Sequence, residues 1–152
     1  MTAPQERIAP RERIAPRERA ASPERAASRA VFEYALLRVV PRVERGEAIN
    51  AGVLLYSRPL SFLAAGTHLD TDRLLALDPG ADVAGVRAAL HAVERVCAGG
   101  PQAGPAAGDE AGRRFRWLIA PRSTVVQPGP VHSGLTADPD AELERLLTLL
   151  VR

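Results

Sequence analysis

Residues 32–40 read FEYALLRVV and residues 50–57 read NAGVLLYS. Both are rich in β-branched and aromatic side chains, and Pro41 ends the first, so each is predicted to be a strand. The unbroken apolar run at 53–56 calls for burial on both faces of a sheet. Polar residues 42–47 connect the two strands. Arg58-Pro59 makes a turn into a third strand over residues 61–69. Strands joined by such short connections form an antiparallel meander.

Helices are expected to follow. Asp70 can cap a short one carrying Leu74, Leu75 and Leu77, ended by Asp78-Pro79-Gly80. Asp82 can cap a longer one, on which Val83, Val86, Leu90, Val93 and Cys97 trace a stripe, and Gly99-Gly100-Pro101 closes it. Residues 99–112 are a Gly/Pro/Ala-rich loop, and residues 115–119 fit helix or strand equally well. Residues 123–127 (STVVQ) are extended. The last helix is marked by Asp138 as cap and Pro139 at the first helical position, with Leu143, Leu146, Leu147 and Leu150 on one face. The fold class is therefore α+β: an antiparallel sheet of about four strands with helices packed on it. One domain spans residues 30–152, preceded by a disordered tail over residues 1–29.

The tail is a decaying six-residue repeat over residues 4–27: PQERIA, PRERIA, PRERAA, SPERAA. Pro10, Pro16 and Pro23 would each cost about 3 kcal/mol inside a helix. Ile8 and Ile14 are its only large apolar side chains, too few to offset the entropy of ordering it. Either it is a solvated extension, or a gene start read too far upstream, or it is an arm for nucleic acid or a partner. Of the net charge of +2, residues 1–29 carry seven Arg against four Glu, leaving thirteen Arg against fourteen acids in the rest. The folded part is thus close to neutral and has no global nucleic-acid footprint.

All twenty basic residues are arginine. A chain without lysine cannot build a Walker A loop, a protein-kinase strand lysine or a pyridoxal Schiff base. With its alanine richness this composition points to a GC-rich bacterial genome. The single cysteine cannot form an internal disulfide, which fits a reducing compartment. The N-terminus has no apolar signal region, and no stretch approaches the ~20 apolar residues of a membrane span. A cytoplasmic protein with no membrane association is expected.

The chemistry-bearing residues are sparse. His68, Asp70 and Asp72 alternate and could present metal ligands, but Asp70 already serves as a helix cap and no zinc spacing exists, so no metal is expected. Cys97 lies on an apolar stripe near a helix C-terminus, where a thiolate is disfavoured. His91 shares a solvated helix face with Arg87, Glu94 and Arg95. Arg113, Arg114, Phe115, Arg116 and Trp117 interleave cations with aromatics, as single-strand binders do. An amphipathic element anchoring Trp117 in the core gives the same letters.

Residues 120–134 (APRSTVVQPGPVHSG) are the most unusual stretch. They set Arg122, Ser123, Thr124, Gln127, His132 and Ser133 among prolines that stiffen the backbone and lower the entropy cost of binding. Arg122 could hold an anion and His132 could move a proton. The same stretch also reads as a rigid edge strand and turn whose polar groups satisfy backbone. With Arg38, Arg42 and Asn50 from the first two strands, these residues form the candidate binding surface. No catalytic or cofactor motif accompanies them, and no cofactor is expected.

From Phe32 onward the phrases FEYALLRVVPRVERGEAINAGVLLYSR, LDTDRLLALDP, VERVCAGGPQAGP and FRWLIAPRSTVVQPGPVHSGL resemble the family catalogued as domain of unknown function 3037. The likeness spans residues 32–151 and leaves the repeat tail outside. It implies no activity. It does imply an association, because members look like companions of kinases similar to the HipA toxin kinase, encoded beside them. The expected function is a non-catalytic binding or regulatory partner of another protein, and on that association a HipA-like kinase is the partner the resemblance implies. The alternative is a small enzyme acting on a phosphorylated or otherwise anionic substrate, with His132 as acid/base and Arg122 holding the anion. Nucleic-acid binding through the tail and residues 113–117 is a weaker third.

Overall fold

The computed structural model describes residues 28–152; the predicted tail lies, up to residue 27, outside the described residues. The chain runs β1 (Ala30–Val39), β2 (Ile49–Ser57), β3 (Phe62–Thr67), α1 (Thr71–Leu77), α2 (Val83–Ala98), a short 3-10 stretch (Pro101–Ala106), α3 (Ala111–Leu118), β4 (Val126–Thr136) and α4 (Pro139–Leu150). The strands form one antiparallel sheet in the order β3-β2-β1-β4. The α+β class, the four strands and the predicted helices are as the sequence implies.

The apolar run of β2 feeds both faces. Leu54 and Ala51 join Leu37, Val39, Leu74, Val86, Leu90, Cys97, Phe115 and Leu118 in the larger core, beneath α1, α2 and α3. Val53 and Leu55 join Phe32, Leu146, Leu147 and Val151 in a smaller core beneath α4. Burying such aliphatic side chains contributes roughly 1.5–3 kcal/mol each.

Helix starts follow the predicted caps. The carboxylates of Asp70, Asp82 and Asp138 accept the backbone N–H of Arg73, Gly85 and Ala141 at 3.0, 2.9 and 3.0 Å. Helix C-termini are completed by side chains from elsewhere. Arg114 donates to the carbonyls of Val96 and Cys97 at the end of α2 (2.8 and 2.9 Å). Asn50 donates to that of Leu150 at the end of α4 (3.1 Å).

Two boundaries differ from expectation. Residues 111–118 are helical, which settles the ambiguous 115–119 stretch as the end of a helix. The extended segment predicted at 123–127 is ordered strand only from Val126, but it continues through Pro128 and Pro130 to Thr136. Prolines are tolerated because β4 is an edge strand, bonded to β1 alone, with its register shifted opposite Leu36.

Candidate functional site

The helical solution at 111–118 decides where the aromatics go. On a strand, Phe115 and Trp117 would share a face; on a helix they point about 200° apart. Phe115 is fully buried, 5.0 Å from Tyr56 in a stacked pair, and Leu118 one turn on is buried beside it. Trp117 is thereby turned outward and is 56% exposed. The core-anchor reading of Trp117 thus does not hold, and Phe115 takes that place.

The guanidinium of Arg122 lies over the Trp117 ring, 5.1 Å from its centroid. Its Nη2 donates to the Trp117 carbonyl and its Nε to that of Ala120 (3.3 Å). These bonds satisfy the last turn of α3 while holding the cation over the indole. Arg122, Trp117, Thr124 and Val125 wall one side of a depression of about 290 Å³ whose other side is Ala89, Ala92, Val93 and Val96 of α2. A second depression, of about 340 Å³ and bordered by Asp78 and Asp82, shares Ala89 and Val125 with it. The result is an apolar groove along α2 with carboxylates at one end and a guanidinium at the other.

The other candidate residues are distributed over the sheet. Arg38 sits across the strands between Asn50 on β2 and Gln127 on β4, so these three form one row. The Nε of Arg38 is buried without a hydrogen-bond partner. His132 is exposed and pairs with Tyr34, ring centroids 5.2 Å apart, on the α4 face of the sheet. Ser133 lies opposite Glu33. Thr124 donates to the Val126 carbonyl (2.8 Å), Ser123 is exposed beside it, and Arg42 pairs with Glu44 in the β1–β2 connection. Arg122 packs on the α3 side and His132 on the α4 side, so they do not converge on one substrate. Residues 122–133 are thus divided between the α3 side and the α4 side of the sheet.

The cations of the 113–117 stretch are engaged. Arg113 meets Asp109 (3.4 Å), Arg114 holds α2, and Arg116 makes a bidentate pair with Glu33 (3.1 and 3.0 Å). A polynucleotide would have to displace these partners. Another depression gathers His68, His91 and Arg87. There His91 already contacts the Glu94 carboxylate (3.0 Å), which opposes an anion. No group of three His, Cys, Asp or Glu residues suited to a metal occurs among the described residues. No helix among them is long and apolar enough to cross a membrane.

Fold and site together define a four-stranded antiparallel α+β domain with helices on both faces and an outward tryptophan–arginine pair above an apolar groove. The family model described as protein of unknown function (DUF3037) matches residues 34–151, and the chain belongs to that family. No curated protein and no solved structure matches it.

Proposed function

We propose that this chain is a non-catalytic binding partner of another protein, and that the groove along α2 is where the partner docks. The observation that carries this reading is Trp117, more than half exposed with the Arg122 guanidinium over its ring, at the edge of an apolar depression. Trp and Arg dominate the energetics of protein interfaces, and here the two stand together beside that depression. The groove's charge asymmetry fits a partner segment with apolar side chains between a cation, for Asp78 and Asp82, and an anion, for Arg122. A kinase of the kind named by the family resemblance is the first partner to try. The enzyme alternative loses support because Arg122 and His132 face opposite sides of the sheet.

With one tryptophan in the chain, binding at the groove has its own reporter. Titration with a purified HipA-like kinase whose tryptophans are replaced by phenylalanine should shift Trp117 emission to the blue. Trp117→Ala should weaken binding at least tenfold, equivalent to about 1.4 kcal/mol, with the melting temperature unchanged. Unchanged affinity in Trp117→Ala would remove the groove from the interface.

A further inference from the structure

We infer that two copies of this chain pair through β4, antiparallel about a two-fold axis at Ser133, to form one continuous sheet. The direction of the free backbone groups can be read from one bond. The carbonyl of Val31 accepts from the Ser57 hydroxyl at 2.8 Å, so it points toward β2 and away from β4. Val31 and its cross-strand neighbour Leu135 are therefore a non-hydrogen-bonded pair, and the N–H and C=O of Leu135 point out of the sheet. The register is unbroken from Leu135 back to Val131, so alternation turns Ser133 and Val131 outward as well. Pro128 and Pro130, which have no N–H, blunt the first half of this edge and leave the second half open.

The open half is complementary to itself. With Ser133 opposite Ser133 of the second copy, Val131 of each chain meets Leu135 of the other. All three pairs are then of the hydrogen-bonded kind, allowing about six backbone bonds. The apolar side chains that meet are those left in water: Val131 is 40% exposed and Leu135 is 60%, with Val31 beside it at 52%. Edge strands are ordinarily guarded by charge, yet β4 (VQPGPVHSGLT) has none. In a two-fold contact a charge near the axis would confront its own copy, and here that penalty is absent. Arg116 is neutralised by Glu33, which lies across from Ser133. The opposite edge of the sheet, β3, has six residues, all half-buried, and offers no comparable row.

Sedimentation velocity on the full chain tests this, with a reversible dimer expected as concentration rises. Val131→Lys with Leu135→Lys, both at exposed positions, should give a monomer with unchanged circular dichroism and melting. Ser133→Cys should form a disulfide-linked dimer under mild oxidation, because the Cα atoms of a hydrogen-bonded pair lie about 5.5 Å apart, within disulfide reach. Ser123→Cys, exposed but off the edge, should remain monomeric. A wild-type monomer at every concentration, a dimer that survives both lysines, or equal crosslinking of the two cysteine variants would overturn the inference. Trp117→Ala should leave the dimer intact, so loss of partner binding and loss of dimer are separable.

Discussion

Cys97 is 3% exposed, and burial pushes its thiol from the ordinary 9.0 up to about 12, against the opposing pull of Arg114. Near neutral pH it is a thiol with no path to a reagent. Alkylation should be slow in the native protein and fast in denaturant, as followed by mass spectrometry; rapid native labelling would contradict its burial. The pH dependence has a definite sign. The unfolded thiol ionises near 9 and the folded one near 12, so its contribution is complete below about pH 9 and is lost as pH rises across that window. Cys97→Ala should flatten the alkaline part of the stability curve. The burial of Cys97 was legible from its place on an apolar stripe. That of Phe115, rather than Trp117, was not, because a five-residue stretch fits both periods until its neighbours choose the helix.

At the scale of elements, helix beginnings and endings obey different rules. Each Asp cap serves an N–H three residues on, so sequence alone finds it. Arg122 closes α3 from nearby, but the other C-terminal partners come from far off: Arg114 reaches back seventeen and eighteen residues, and Asn50 lies a hundred from Leu150. No local pattern announces them, and arginines with structural duties read as free cations. Arg114→Ala should therefore cost more than loss of a solvent-facing arginine, because Arg114 is half-buried. It leaves the Val96 and Cys97 carbonyls without a partner at roughly 1–3 kcal/mol each. Arg113→Ala, whose Asp109 contact is long and exposed, should change stability by less than about 0.5 kcal/mol. Equal melting temperatures for the two variants would refute the distinction. The prolines of β4 left two readings open, a stiff binding loop and a rigid edge strand, and the structure shows the edge strand. They mark an edge strand as well as a loop, and only the sheet order says which.

The whole molecule is a sheet between unequal cores, with β2 the element both share. Phe115→Ala in the larger should cost about 3–5 kcal/mol and Leu147→Ala in the smaller about 2–5 kcal/mol. Because Val53 and Leu54 are adjacent residues committed to different cores, both losses should lower one cooperative transition. A calorimetric scan of Leu147→Ala that splits into two peaks would show the α4 face melting by itself. The same two-sidedness bears on register. In a strand with one wet face, a slip by one residue drives apolar side chains into water, and that cost fixes the alignment. On β2 a slip would only exchange one apolar face for the other, so hydrophobicity cannot hold it in place. Alignment must come from particular contacts. A Cβ on Gly52 would lie 2.8 Å from the Gly66 carbonyl, so only glycine can occupy that point of closest approach to β3. Ser57 and Asn50, at either end of the strand, are tied to Val31 and Leu150. The few polar and glycine positions of an otherwise greasy strand are its ruler.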